Sequence, residues 1–164
     1  MSINKTQIVE GLNQIWGKWS QFGSELNESQ WQTYSRLPGW TVKDNLSHLV
    51  GGEYMLSGKK LPEVEVSADH VKNPVGEANE KAIHSFREKA GSEVLALFNE
   101  VTAKRFKVLS EMSEEEFQAV GWTQPEKRRT EGLCKLEFMT HGYICRIAEN
   151  LWVSPEMKMV CLLK

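Results

Sequence analysis

The sequence predicts an all-α four-helix bundle. Apolar residues recur at alternating steps of three and four in separate long stretches, helix-start capping boxes precede them, and no stretch shows the two-residue alternation of a strand. With 164 residues, 40% of them apolar, the chain is long enough to bury one core and is read as a single domain over 1–164.

The first helix is expected over 4–24, because Ile8, Leu12, Ile15, Trp19, Phe22 and Leu26 share one face. Asn4 and Gln7 suit its cap. Gly23, Ser24 and Asn27, followed by Pro38-Gly39, end it and leave room for at most a short helical turn. Thr41-Val-Lys-Asp44 reads as a capping box with Asp in place of Glu. A second helix follows over 42–57, with Val42, Leu46, Leu49 and Leu56 on its apolar face and a stop at Ser57-Gly58. The stretch 58–76, with Pro62, Pro74 and Gly76, is a long loop inside the domain, a place where function often resides.

A third helix is expected over 77–111 from Ala78, Ala82, Phe86, Ala90, Val94, Leu97, Val101 and Val108, with Gly91 as a kink. Ser113-Glu-Glu-Glu116 is a further capping box that supports one or two turns. Gly121 to Gly132, with Pro125, makes the next connection, and a fourth helix is expected over 132–152, ending before Ser154-Pro155.

Charge and composition narrow the function. Twenty basic residues against twenty-two acidic ones, without a long run of either sign, give no electrostatic footprint for nucleic acid, so no nucleic-acid partner is expected. No apolar run is long enough to span a bilayer, and the start MSINKTQ has neither the basic flank nor the apolar core of a signal peptide, so a cytoplasmic protein without a membrane partner is expected. Cys134, Cys145 and Cys161 are too sparse for a disulfide scaffold and are read as reduced thiols. Cys134 and Cys145 would stand about 16 Å apart along one helix and cannot bridge each other.

The chemistry concentrates on the fourth helix. Leu133, Leu136, Thr140, Ile144, Ile147, Ala148 and Leu151 form its core-facing arc, and Glu137 and His141 fall inside that arc. A buried carboxylate and imidazole need partners, and their spacing of four stacks them on one side of the helix, close enough to grip one metal ion. His48 on the second helix is the candidate third ligand. Gly51 and Gly52 beside it cost about 1 kcal/mol each relative to alanine, which makes sense if space is needed there for helix approach or for a ligand. The same residues also fit a hydrogen-bonded network without metal.

The run Leu37-Pro-Gly-Trp-Thr-Val-Lys-Asp-Asn-Leu-Ser-His48-Leu, followed by Gly52-Glu53, resembles the opening signature of the DinB/YfiT-like superfamily, and within it the N-terminal domain of mycothiol-dependent maleylpyruvate isomerases. Glu137-Phe-Met-Thr-His141-Gly142 resembles the second signature, and the resemblance spans roughly residues 5 to 152. It implies a divalent metal, usually zinc, on His48, Glu137 and His141 with one open coordination position. It further implies a low-molecular-weight thiol, mycothiol-like, whose thiolate the metal favours and which attacks a small electrophilic substrate, in a transferase or an isomerase.

Two departures separate this chain from the isomerases. His141-Gly142-Tyr143-Ile144 lacks the acidic residue that commonly follows the His-Gly-aromatic run, and with Lys164 shortly after the fourth helix their additional C-terminal domain is not expected. Two other readings therefore stand beside the first: a hydrolase using metal-bound water, with Glu53 and Asp44 as nominal bases, and a non-catalytic scaffold that dimerises through a helix face. Asp44 is either an acceptor that orients an imidazole or simply part of the helix cap. His70 and His84 are read as solvated. Trp16 and Trp19 are read as core, Trp40 as packing ahead of the second helix, and Trp31, Trp122 and Trp152 as residues that could line a substrate mouth. Lys127-Arg128-Arg129 offers a basic cluster for an acidic substrate, or a solvated loop.

Overall fold

The computed structural model describes residues 4–37, 39–61, 63–66, 71, 74–118, 120–121 and 128–129. These form six helices: α1 (Lys5–Ser24), α2 (Glu28–Trp31), α3 (Val42–Leu56), α4 (Pro74–His84), α5 (Gly91–Glu111) and α6 (Glu114–Gln118). Two two-residue strands, β1 (Val120–Gly121) and β2 (Arg128–Arg129), pair antiparallel, with Val120 opposite Arg129 and Gly121 opposite Arg128. The fold is an all-α bundle in which α5 packs against both α1 and α3, and α4 lies along α3. The expected fourth helix over 132–152 lies outside the described residues. Among the described residues, no helix is long and apolar enough to cross a membrane.

Capping chemistry sets where the helices start. The Asn4 side chain accepts from the Gln7 amide at 2.9 Å, and Gln7 accepts from the Asn4 amide at 3.1 Å, so α1 begins at the expected cap. Asn27 and Gln30 repeat the device for α2, the short turn left open by the sequence. At α3, the Asp44 amide donates to Thr41 Oγ1 and the Thr41 amide donates to Asp44 Oδ2. Ser113 and Glu116 do the same for α6, and these bonds hold the exposed Glu116 carboxyl below its ordinary value.

The third helix does not run unbroken from 77 to 111. It is two helices, α4 and α5, separated by turns over 85–90. The physical reason lies in the pattern itself: Ala78, Ala82, Phe86, Ala90 and Val94 recur at a constant step of four, and each step overshoots a full turn by about 40°, so four steps wind the stripe about 160° around a straight helix. Breaking the helix lets Phe86 and Val94 both enter the core. Turn-type bonds from Phe86 N to the Ile83 carbonyl and from Lys89 N to the Phe86 carbonyl close the bend. The buried Lys43 of α3 donates to the carbonyls of Arg87 at 2.8 Å and Lys89 at 2.9 Å, and so satisfies acceptors that the interrupted helix leaves open. Gly91 is thus a helix start and not a kink.

The core is built from Leu12 and Trp19 of α1, Val42, Leu46, Leu49 and Val50 of α3, Val94, Phe98 and Leu109 of α5, and Phe117 of α6. Trp31 is buried among them, not at a mouth. A Cβ added to Gly23 of α1 would meet Trp31 Cη2 at 3.0 Å, and one added to Gly91 of α5 would meet its Cγ at 2.1 Å. The indole is therefore wedged between two helices at points where neither carries a side chain. Beside it, the Glu28 carboxylate accepts from the Gly91 amide with both oxygens, at 2.9 and 3.0 Å. This caps α5 from a different element, since Ala90 at its N-cap has no acceptor to offer. The two-residue strands were not anticipated, because elements that short cannot display an alternation.

Candidate functional site

The segment before α3 fixes Trp40 through its backbone. Gly39 adopts a left-handed φ of 78°, as the tight turn requires. The Trp40 amide donates to the Leu37 carbonyl at 3.1 Å, and the Ser35 amide donates to the Trp40 carbonyl at 2.7 Å. Tyr34 and Thr41 form an antiparallel bridge on either side of this turn. The indole then leaves the turn in one direction, and its N–H donates to Glu80 Oε1 of α4 at 2.6 Å.

His48 lies two turns into α3 and meets this indole. The ring centroids stand 5.3 Å apart with the planes inclined by 48°. Burial pushes the half-buried imidazole below its ordinary 6.5, because the charged form loses hydration there. A neutral ring carries the lone pair that a metal ion takes, so the donor chemistry of His48 fits the ligand role.

The glycine pair next to it divides the two uses that the sequence suggested. A Cβ on Gly51 would stand 2.5 Å from the Ala82 Cβ, so this glycine lets α3 and α4 touch. A Cβ on Gly52 would find no atom of the described residues within 4 Å. Gly52 is four residues beyond His48 and so shares its side of α3. The close helix contact at Gly51 and Ala82 also brings Glu80, two residues earlier on α4, to Trp40.

The two nominal bases are engaged elsewhere. Asp44 Oδ2 accepts from the Thr41 amide at 2.8 Å and from its hydroxyl at 2.9 Å, and Oδ1 faces the Arg87 guanidinium at 3.9 Å. Glu53 is buried at the contact of α3 with α5, where the Arg105 guanidinium stands 3.8 Å from it. Glu80, Arg87 and Arg105 were missed by sequence reasoning. Glu80 is 3% exposed, and its other oxygen faces Arg87 at 3.9 Å. Its place three residues before Ile83, on the buried side of α4, was the signal that could have found it.

Of the expected ligands, only His48 falls among the described residues. Glu137 and His141 lie outside them, as do Cys134, Cys145, Cys161, His70, Trp122 and Trp152. Among the described residues, no three His, Cys, Asp or Glu side chains gather as a metal-holding group. His84 sits half-buried at the end of α4.

Comparison with known proteins places this geometry. Solved structures with the same fold include a Streptococcus pneumoniae protein, 16% identical over 92% of this chain and 91% of that one, with a TM-score of 0.68. An uncharacterised protein from Clostridium difficile 630 is 15% identical over 100% of this chain and 99% of its own, with a TM-score of 0.66. The colibactin self-resistance protein ClbS, solved in complex with a dsDNA, is 13% identical over 92% of this chain and 96% of its own, with a TM-score of 0.67. That complex shows that the expectation of no nucleic-acid partner does not hold as a rule for the fold. No curated protein matches the chain. The match to the family model of the mycothiol maleylpyruvate isomerase N-terminal domain covers residues 12–140. With a match over most of its length, the chain belongs to that family.

Proposed function

We propose that this chain is a metal-dependent enzyme domain in which His48, Glu137 and His141 hold a divalent cation, zinc by the character of the donors, and a small thiol of the mycothiol kind is directed at a small electrophile. The reaction is either thiol transfer or a maleylpyruvate-isomerase-like addition and expulsion. The observation that carries this reading is a half-buried His48 set against the Trp40 ring, one turn before Gly52, where an added Cβ meets no atom of the described residues, in a chain whose family match includes His48 and Glu137. When bound, such an ion favours thiolate over thiol at neutral pH.

The chain's own residues divide the remaining work. His48 presents its lone pair, the Trp40 ring packs against the imidazole at an incline, and Gly52 leaves space along α3 among the described residues. A hydrolase would need a general base within reach of water. Asp44 is tied into the helix cap and faces Arg87, and Glu53 is buried against Arg105, which favours the thiol over the water as nucleophile.

Elemental mass spectrometry of the purified protein tests the metal, followed by assay of maleylpyruvate turnover and of thiol addition to electrophiles with mycothiol present. About one equivalent of divalent metal, lost in His48→Ala, with thiol-dependent turnover, is the expected result. No metal after zinc reconstitution, or full occupancy in His48→Ala, overturns the reading and leaves the scaffold alternative in its place.

A further inference from the structure

A histidine that binds metal is ordinarily held in orientation by a hydrogen bond from its second ring nitrogen to a carboxylate, a carbonyl or water. Among the described residues, His48 makes no such bond. The nearby carboxylate on its own helix, Asp44, is engaged by Thr41 and Arg87. What His48 meets instead is the Trp40 ring.

That ring is itself fixed at both its backbone and its N–H. The turn at Gly39 and the bonds to Leu37 and Ser35 set its backbone. The buried Glu80 takes its indole N–H at 2.6 Å, a charge-assisted bond stronger than a neutral one. Arg87, 3.9 Å from both Glu80 and Asp44, balances the two carboxylates and ties the anchor of Trp40 to the cap of α3. A tryptophan that only filled a gap would not require a buried carboxylate on a neighbouring helix, and burying that carboxylate is costly unless it is paired.

We propose that Trp40 and Glu80 are positioning residues of the candidate site: Glu80 locks the indole through its N–H, and the locked indole sets the plane in which His48 offers its ring. This rests on the metal-binding reading above. The device substitutes an aromatic contact, anchored one residue further out, for the usual hydrogen bond to the ligand. The chemistry required of residue 80 is then an acceptor, not a charge as such.

The test compares Glu80→Gln, Glu80→Ala and Trp40→Phe with the unmodified chain. Zinc affinity is read by competition with a chromophoric chelator. In the metal-free protein, the ring-current displacement of the His48 ring proton resonances is read by NMR. Folding of every variant is checked by far-UV circular dichroism. Glu80→Gln keeps an oxygen for the indole N–H and is expected to stay within about twofold of the parent on both readouts. Glu80→Ala and Trp40→Phe are expected to lose about 10-fold in zinc affinity or more, with the His48 resonances shifted away from their parent positions. Should Glu80→Ala fail to fold, Trp40→Phe carries the comparison, since it keeps an aromatic ring and removes only the anchored N–H and part of the face.

Folded variants that lose thermal stability yet retain parent zinc affinity and parent His48 resonances overturn the proposal, because a merely structural Trp40–Glu80 bond would behave in that way. A parent chain that takes up no zinc, while its His48 resonances still respond to Glu80→Ala, overturns the metal reading and not the mechanical link between Glu80 and His48. The two failures are therefore distinguishable.

Discussion

Gly91 and Trp31 approach so closely that a methyl group at position 91 would lie 2.1 Å from Cγ of the indole. The contact sits where α5 begins, beside the Gly91 amide that Glu28 caps. Gly91→Ala must displace either the ring or the helix start, and overpacking of a filled core costs about 1–3 kcal/mol. Urea unfolding of this variant should show a lowered midpoint, and an unchanged midpoint would contradict the wedge. Trp31→Ala, which empties the same space, is expected to cost about 3–5 kcal/mol.

Gly51 and Gly52 should respond in opposite directions. Alanine at 51 collides with Ala82 and separates α3 from α4, at a cost of about 1–3 kcal/mol. Alanine at 52 meets no described atom and improves helix propensity, so a gain of up to about 1 kcal/mol is expected. If the space beside His48 receives a ligand, Gly52→Ala also weakens thiol-dependent turnover while raising the melting temperature. A variant more stable and equally active would remove Gly52 from the site.

Lys43 works through its ammonium group inside the bundle. Lys43→Met preserves most of the stem but leaves the Arg87 and Lys89 carbonyls without their donor. Losing these part-buried bonds costs about 0.5–1.5 kcal/mol each, and the loss should appear first as faster amide hydrogen exchange over 85–90, where α4 and α5 are joined. Parent-like exchange in that segment would show that water replaces the lysine.

The pH dependence of stability follows from His48. Its imidazole titrates below 6.5 in the folded chain, because burial penalises the cation. Between the folded and unfolded values, the unfolded chain holds more protons at this site, so stability rises with pH there. The contribution is whole above about pH 6.5 and is lost as the pH falls below that, towards the folded value. With chelator present, the difference in unfolding free energy between the parent and His48→Gln should shrink from about pH 7 to pH 5. A difference that stays flat across this range would mean that His48 titrates normally.

Much of the bundle was legible in the residues alone. Local signals set three of the helix starts, where Asn4 with Gln7, Thr41 with Asp44 and Ser113 with Glu116 each form the reciprocal bonds that their spacing announces. The resemblance carried by the run from Trp40 to His48 agrees with the family match over 12–140, which includes Glu137 and stops one residue short of His141. Legibility stopped at the third helix, where a regular step of four hid a break that only the docking of Phe86 and Lys43 into the core makes favourable.

The sequence by itself thus determined the helical class, the local capping boxes and the family, because each is carried by residues within a few positions of one another along the chain. Tertiary structure alone decided that Trp31 is a wedge between α1 and α5, that Gly51 serves helix contact while Gly52 meets no atom of the described residues, and that Glu80 reaches Trp40 across 40 residues. These depend on which helices meet and at what height, and that is set by packing across the bundle, where pairs distant in sequence become neighbours and a charge on one helix finds its donor on another.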